Sequence, residues 1–404
     1  MKQALALFSL ATTLLLGRVA GAVPVVEDKE KGISVNVGAL LQPQFQMTGQ
    51  GTVGGHGACG NAAGTRPGCS AGIGSARGDG PGYDLFLRRA RLMLWGSATK
   101  QISFFVETDE PNLGKGGDFS MRTFVQDAFL TYTVIPEFKV DAGLMLAPLS
   151  HHTIEGATSL NTLDYHSDMI KFPAQRIFRD AGVQFRGLAL QDHLGYRLAV
   201  MEGVRNGALP APPAPPATRT TLNPGSVPRL VGMIRGNILG SEPDFFMKGI
   251  YFAEHPIISV GVGGDWQSKS AIKLNGSHGD YYALSGDAFV DYPFTAADEL
   301  IVKANYFYYG EGSVPGQTLV PAGASSLFGE VGFRHGIIEP IAFVEYLQGR
   351  KDSVTILAPH GGLNLWVMKH NFNLKTDVGW RKTEPKGERT RKDLIWTTQA
   401  QFFF

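Results

Sequence analysis

The sequence has 404 residues, 43% of them hydrophobic, and a formal net charge of +1 at pH 7. This charge argues against a general nucleic-acid-binding protein, and beyond the N-terminus no run of about 20 apolar residues could form a membrane-spanning helix. The mean hydropathy is near zero, which suits the alternating strands of a membrane β-barrel, because their polar and apolar residues cancel. A secreted β-sandwich or a large soluble β enzyme shares this composition.

Residues 1–22 are typical of a secretory signal peptide. Lys2 supplies the positive start, residues 4–16 form an apolar core too short to span a membrane stably, and residues 20–22 (AGA) form a small-residue cleavage site. No cysteine follows this site, so a lipoprotein anchor is not indicated. We therefore predict export and a single mature domain, residues 23–404.

Amphipathic strands recur along the mature chain, beginning with residues 33–45. Apolar residues from Ile33 to Leu41 alternate there with polar ones such as Ser34 and Asn36, which is the period of two expected for a half-buried strand. The same pattern predicts strands at residues 83–96, 102–107, 124–132, 138–146, 181–189, 194–202, 229–239, 257–267, 281–292, 300–309, 327–335, 339–348, 362–368, 372–381 and 393–404. The count of about sixteen is even, as bacterial single-chain barrels require.

The final strand, residues 393–404, indicates what surrounds the sheet. Its apolar positions, among them Leu394, Trp396 and Phe402, alternate with polar ones, and the chain stops on Phe404. An open strand of this kind would template aggregation in water, whereas in a closed barrel the apolar face meets lipid and no edge remains. We therefore predict an all-β fold, a transmembrane antiparallel β-barrel with long extracellular loops and short periplasmic turns.

The connections between the predicted strands alternate between long and short. A Gly-rich loop covers residues 48–82, a second long connection covers residues 147–180, and the Pro-rich residues 209–228 are typical of an exposed polyproline-like loop. Residues 240–256 are the exception, because they are too long for a turn and leave the neighbouring strand ends undefined.

Cys59 and Cys69 lie in the Gly-rich loop. In an oxidising compartment they are expected to form one loop-closing disulfide, and with no histidine pair nearby they make a poor metal site.

Motifs of enzymes are nearly absent. Residues 68–72 match the G-x-S-x-G pattern of a nucleophile elbow, but that motif needs a preceding strand and a following helix, and here it lies in a loop. His151 and His152 are interpreted as surface or loop histidines, since adjacent residues rarely point at one ion and no H-E-x-x-H motif accompanies them. We expect no catalysis, no cofactor and no metal.

Charged residues fall on the strand face opposite the apolar one, and both signs are represented. They include Arg89, Arg91, Lys139, Arg186, Arg197, Arg235, Lys303, Arg334, Lys375 and Arg381, and Glu107, Asp109, Asp127, Asp141, Asp265, Asp287, Asp291, Glu330, Glu345 and Asp377. In a barrel these side chains face the lumen, because an Arg facing lipid near the midplane costs about 2–4 kcal/mol. The pattern predicts a wet interior; in a soluble sandwich the same residues would be ordinary surface. Arg88 falls on the lipid side by parity and is expected at the rim or beside a bulge.

The connection at residues 147–180 carries Lys171, Arg176 and Arg179 close to Phe172 and Phe178. If it folds into the barrel, it forms the constriction, and its clustered cations favour phosphate-like anions. The alternative is an external loop with scattered charges, and both remain open.

Several short motifs resemble the phosphate-selective porin O/P family. They are residues 86–92 (FLRRARL), Asp127-Ala128, residues 179–183 (RDAGV), residues 362–364 (GLN) followed by Asn371, and the terminal residues 401–404 (QFFF). The resemblance covers nearly the whole mature chain. It implies a sixteen-stranded, trimeric porin whose third loop narrows the pore and whose C-terminal Phe404 addresses the barrel-assembly machinery. Leu146 departs from the family pattern, which has a Lys there, and this weakens the expectation of phosphate specificity more than that of a pore.

These observations predict a passive channel in the outer membrane of a Gram-negative bacterium, in contact with lipid and with small anionic or hydrophilic solutes. The residues expected to line the pore and contact anions are Arg89, Arg91, Lys171, Arg176, Arg179, Arg186, Arg235, Lys303 and Arg334. Two alternatives are a general-diffusion or organic-acid or sugar channel without anion specificity, and a secreted β protein that is not a channel.

Overall fold

The computed structural model describes residues 23–49, 82–170, 178–208, 221–273, 277–310, 312, 323–349, 354–387 and 390–404. The expected signal peptide, the Cys59–Cys69 pair, the G-x-S-x-G stretch, Lys171 and Arg176 lie outside the described residues.

Within these ranges most of the chain is strand. The strands are β1 (Val23–Asp28), β2 (Ile33–Thr48), β3 (Gly82–Ser97), β4 (Ile102–Leu113), β5 (Phe124–Ile135), β6 (Phe138–Leu146), β7 (Arg179–Ala189), β8 (Leu194–Met201), β9 (Gly207–Ala208), β10 (Thr221–Leu222), β11 (Arg229–Leu239), β12 (Ile257–Ile272), β13 (His278–Pro293), β14 (Asp298–Tyr309), β15 (Ser325–His335), β16 (Ile338–Gln348), β17 (Thr355–Met368), β18 (Phe372–Glu384) and β19 (Arg391–Phe403). Three short 3-10 helices accompany them, Lys115–Gly117, His152–Ile154 and Ser167–Met169. In the part of the chain that the structure describes, no helix is long and apolar enough to cross a membrane.

Sixteen of these strands close into one antiparallel barrel. Neighbours in the chain pair with each other, β8 pairs with β11, and β19 pairs with β2, so that Gln399 lies opposite Gln44 at the seam. The predicted barrel and its strand number are therefore confirmed. The remaining three strands are accessory: β1 pairs with the first residues of β2, and β9 pairs with β10 in the connection between β8 and β11.

Side chains alternate between the two faces of the barrel wall. In β13, Leu284 is 56% exposed on the outer face, while its neighbour Ser285 is 8% exposed on the inner face. The outer face is apolar on strand after strand, and the inner face carries the polar and charged residues. This is the arrangement that the alternating sequence predicts.

The two ends of the barrel differ. The end that we call the turn side holds the short connections after β3, β5, β7, β13, β15 and β17 and both ends of the described chain, and the other end, the loop side, holds the long connections. Some strands run further towards the loop side than predicted. β12 continues to Ile272, because its pairing with β13 resumes after an irregularity between Gln267 and Ala271 that breaks the alternation.

Arg88 lies at a bulge, which is one of the two positions, rim or bulge, that its parity predicted. The register between β2 and β3 shifts after Gln42, which pairs with Arg89, so that Pro43 pairs with Leu87. The extra residue turns Arg88 away from the outer face, and both Arg88 and Arg89 reach the same inner carboxylate, that of Asp164.

Candidate functional site: the barrel lumen

Residues 147–170, which we call the loop segment, fold from the end of β6 into the lumen. Its backbone carbonyls reach the far wall of the barrel: Lys375 Nζ donates to Leu160 O at 2.5 Å and Gln401 Nε2 donates to Thr158 O at 2.8 Å. On β12, Gly263 permits close approach, since a Cβ there would collide with the Leu149 carbonyl. Of the two alternatives for the described part of this connection, the inward fold is therefore the observed one.

Three arginines of the barrel wall hold the C-terminal part of the loop segment. Asp164 accepts a hydrogen bond from Arg88 Nε at 2.5 Å and another from Arg89, and Asp168 pairs with Arg381 on β18. Burial alone would raise the pKa of Asp164, but the two guanidinium groups outweigh it and hold that pKa well below its usual range. Asp164 is therefore ionised throughout the physiological range.

The middle of the loop segment is organised around one carboxylate, Glu155. His151 Nδ1 lies 2.8 Å from Glu155 Oε1 and His152 Nδ1 lies 2.9 Å from Oε2, while Lys303 Nζ on β14 joins Glu155 at 2.8 Å to Glu330 at 3.0 Å. Burial lowers the pKa of His152 to about 4, although Glu155 opposes the shift, so this ring is neutral at pH 7. Of the two alternatives predicted for His151 and His152, the loop position is the observed one and the surface position is wrong, because both rings are fully buried.

His166 is a second buried histidine, and it is held by two carboxylates. Its Nδ1 lies 2.7 Å from Glu345 and its Nε2 lies 3.2 Å from Glu330, and the Phe328 ring stacks on it at 4.1 Å. Burial on its own would lower the pKa of His166, but the bonds to Glu330 and Glu345 outweigh it and raise that pKa to about 9. His166 is therefore an imidazolium at neutral pH.

Residues 240–256, which we call the turn segment, also fold into the lumen, from the opposite end. Met247 pairs with the loop segment: Met247 N donates to Ile154 O at 3.0 Å and Gly156 N donates to Met247 O at 3.0 Å. Gly249 N adds a bond to Ser159 O at 2.9 Å. The connection that was too long for a turn is thus an inward fold that meets the loop segment across the lumen.

Aromatic contacts anchor the turn segment to the wall. Phe245 stacks on Phe129 of β5 with ring centroids 4.1 Å apart, and Phe246 packs edge-on against Phe105 of β4 at 5.0 Å. Further along, Phe252 packs edge-on against Trp366 of β17 at 5.1 Å. Glu242 of the turn segment adds a charged contact. Its carboxylate lies 2.7 Å from His151 and 3.3 Å from Arg235.

The predicted pore-lining cations that the structure describes all lie on the inner side and pair with carboxylates. Arg89 contacts Asp164, Arg91 contacts Glu107 and Asp109, Arg179 contacts Asp127, Arg186 contacts Asp141, Arg235 contacts Asp287, Lys303 contacts Glu155, and Arg334 contacts Glu299. Each is less than 9% exposed. At this level the interior charges are compensated by direct contact with each other.

Two of the recesses in the described part of the lumen lie on either side of the inserted segments. The first has an empty volume of about 510 Å³ and is lined by residues of both signs, among them Arg88, Lys115, Asp164, Glu345 and Asp377. The second has about 440 Å³ and lies towards the turn side, between strands β6, β7, β8 and β11 and the turn segment. Among the residues that the structure describes, no group of three or more His, Cys, Asp or Glu side chains is placed to hold a metal ion.

The sequence reasoning missed the buried histidine–glutamate network and the turn segment. His151, His152 and Glu155 have the spacing of one helical turn, which was a signal that two imidazoles could converge on one carboxylate. The turn segment carries Phe245-Phe246 and residues 250–252 (IYF). So many large apolar residues in a connection indicate burial rather than exposure.

No protein-family model matches the sequence, and no curated protein matches it. The fold, however, is similar to solved structures. The outer membrane channel DcaP of Acinetobacter baumannii has a TM-score of 0.56 at 12% identity, covering 95% of this chain and 100% of that one. OmpF of Salmonella typhi, solved with daunomycin, has a TM-score of 0.56 at 9% identity over 95% and 100%. An anion-selective porin from Comamonas acidovorans has a TM-score of 0.55 at 9% identity over 92% and 100%.

At these identities the likeness shows the fold alone. The barrel is that of porins, and the resemblance to the phosphate-selective O/P family stays a prediction.

Proposed function

We propose that the protein is a passive channel for small hydrophilic solutes in the outer membrane of a Gram-negative bacterium, with a preference for anions such as phosphate. The observation that carries the proposal is a closed sixteen-stranded barrel whose outer face is apolar and whose inner face is charged. Closure leaves no unpaired strand edge, which is the condition for crossing a bilayer with strands.

The outer face supports contact with lipid. Large apolar side chains on five different strands are more than half exposed: Leu92 65%, Leu130 56%, Leu198 54%, Val262 64% and Leu284 56%. A contiguous apolar surface of this extent on a water-soluble protein would drive association. A secreted, soluble β protein is therefore the weaker alternative, and a mature form that needs no detergent would identify it.

The inner side supports a narrow path. The loop segment and the turn segment meet in the lumen and leave recesses of a few hundred Å³ on either side. In a narrow path, the groups that line it determine which solutes pass. The proposal of a selective channel follows from this, and a general-diffusion or organic-acid or sugar channel remains the second candidate.

The anion preference rests on inner cations and on one neighbour in fold. Arg89, Arg91, Arg179, Arg186, Arg235, Lys303 and Arg334 face the interior, where each already contacts a carboxylate, and Lys171 and Arg176 are proposed to supply cationic charge beyond these pairs. Guanidinium groups bind phosphate-like anions in a bidentate manner. One neighbour is by name an anion-selective porin, which is in line with this preference.

The proposal includes the remaining features expected from the sequence. The chain is exported through the signal peptide at residues 1–22, Cys59 and Cys69 form a disulfide, Phe404 addresses the barrel-assembly machinery, and three copies associate. It has no catalytic activity.

Planar-bilayer recording of the purified mature protein under a KCl gradient tests the function. Stable conductance steps with a reversal potential on the chloride side, reduced by added phosphate, are the expected result. Arg176→Ala and Arg179→Ala should shift the reversal potential towards zero, whereas Arg205→Ala, an exposed arginine paired with Glu202, should not. Steps without ion preference would leave the general-diffusion channel, and no steps from folded protein would exclude a channel.

A further inference from the structure

Three cations stand in one row across the turn-side half of the barrel wall. Lys139 on β6 is the register partner of Arg186 on β7, and Arg186 is the register partner of Arg197 on β8. All three lie on the inner face and line the turn-side recess of about 440 Å³. Like charges directly opposite each other destabilise an antiparallel pair, so the row needs a compensating negative charge.

The protein supplies only part of that charge. Asp141 accepts a hydrogen bond from Arg186 Nε at 2.8 Å, but it also accepts bonds from Thr131 and Gln184. Arg197 is buried, and it donates to two backbone carbonyls of the turn segment, Asp244 O and Phe245 O, each at 2.7 Å. A carbonyl orients a guanidinium without neutralising it.

Lys139 is the least satisfied member of the row. It is half-buried, and its ammonium makes no hydrogen bond or ion pair with any residue of the described ranges. The nearby carboxylate of Asp244 pairs instead with Lys248 at 3.2 Å. Lys139 and Arg197 therefore both face the recess without a carboxylate of their own.

The opposite wall of the recess does not change this balance. Arg235 and Glu242 lie there, and Arg235 also pairs with Asp287 while Glu242 also binds His151 at 2.7 Å. Four cationic side chains line the recess, and the carboxylates paired with them are three: Asp141, Glu242 and Asp287. Glu242 is also bound to His151. The aromatic ring of Phe245 lies 5.2 Å from the Arg186 guanidinium and 5.6 Å from that of Arg197.

We propose that this recess binds a small, multiply charged oxyanion at the turn-side mouth of the channel, with Lys139 and Arg197 as its principal ligands. The inference rests on the proposed function in one respect, which is that solutes reach the recess through the lumen. It adds a second anion site on the turn side, remote from Arg179 at the loop-side start of β7. The turn segment takes part in it, since its carbonyls hold Arg197 and its residues Glu242, Pro243 and Met247 line the recess.

Isothermal titration calorimetry of the full mature chain in detergent, with inorganic phosphate at constant ionic strength, tests the site. The wild type should bind, and Lys139→Gln or Arg197→Gln should weaken binding about tenfold or more, because each removes one charge-assisted interaction. Lys100→Gln, which removes an exposed lysine from a turn at the same end of the barrel, should bind as the wild type does. Lys139 has no described partner, so its substitution leaves folding intact, and a heat-modifiability gel verifies this.

The outcomes separate the recess from the channel function. Absence of phosphate binding to the wild type, or equal binding by all variants, would overturn the recess even if bilayers show anion preference. Loss of binding in Lys139→Gln and Arg197→Gln supports the recess even if bilayers show no preference, in which case the anion selectivity of the channel fails alone.

Discussion

The two segments inserted into the lumen are held by different forces. The loop segment is held by charge: Asp164 by two arginines, Glu155 by Lys303, and His166 by two glutamates. The turn segment is held mainly by aromatic packing, with Phe245 on Phe129 and Phe252 on Trp366. The position of the first therefore depends more strongly on protonation than that of the second, although Glu242 of the turn segment also binds the titratable ring of His151.

This difference follows from what each force requires. A buried ion pair tolerates little displacement, because a charge left without its partner costs several kcal/mol. Aromatic contacts are less directional and lose energy gradually with distance. The loop segment is thus held firmly only in the pH range in which its ion pairs are charged. The aromatic contacts of the turn segment do not depend on pH.

Removal of the turn segment should have the largest effect. Replacing residues 241–255 by an Asn-Gly turn deletes the part of the chain that pairs with the loop segment at Met247, and the single-channel conductance should rise several-fold because the lumen widens. The barrel itself should still close, as heat-modifiability on a gel would verify. Unchanged conductance in a folded variant would mean that the loop segment alone limits the path.

Loss of the shared ammonium of Lys303 should be the largest effect of a single substitution. Lys303→Met leaves Glu155 and Glu330 facing each other without the cation that joins them, and the free energy of unfolding should fall by about 3–5 kcal/mol. Denaturant-induced unfolding in detergent measures it. Lys273→Met, at an exposed lysine on the loop side, should change little; an equal loss there would contradict the charge-based account.

A pH titration should affect the loop segment through His166. Because the folded-state pKa of about 9 lies above the ordinary value of 6.5, its stabilisation is complete below about pH 6.5 and is lost as pH rises through 9. The loss should reach about 3 kcal/mol. In His166→Gln this dependence should be smaller by that amount, and the remainder should include His151, whose burial would lower its pKa but is outweighed by Glu242 and Glu155, which raise it. His152 does not contribute in this window, since its pKa is lowered to about 4.

Aromatic anchoring should give the smallest effect, and one that pH does not change. Phe245→Leu removes the stacked contact with Phe129, and should cost about 1 kcal/mol of unfolding free energy at pH 6.5 and 9 alike. The matched control is Phe119→Leu, whose ring is 74% exposed. A pH-dependent loss in Phe245→Leu would remove the distinction between the two segments.

The sequence predicted the barrel because alternation encodes it locally. The alternation within each strand indicates which of its faces is apolar. Leu284 and Ser285, for example, lie on the outer and inner faces that their order in the sequence predicts. Even the bulge at Arg88 was predicted, since a cation on the lipid side violates the pattern. Strand number and orientation follow from counting such patterns.

What fills the barrel could not be predicted in the same way. The inward fold of residues 147–170 depends on partners such as Lys375 and Gln401, more than 200 residues away in sequence, and no local period records those contacts. The row of Lys139, Arg186 and Arg197 likewise depends on register, which bulges and turn lengths decide. The interior charges were found, but their pairing was not.

The seam between β19 and β2 has a consequence for the rate of folding. Gln42 and Gln401, which bond to each other at 2.8 Å across it, are separated by 359 residues. Until they meet, the first and last strands each expose a row of unpaired backbone groups, which is most costly inside a bilayer. Barrel closure therefore requires the two ends of the chain to find each other. Such long-range contacts form slowly, although the entropic cost of closing the loop grows only with the logarithm of its length. We expect the rate of closure between β19 and β2, rather than the rate of strand formation, to determine how long the unclosed barrel needs protection from aggregation.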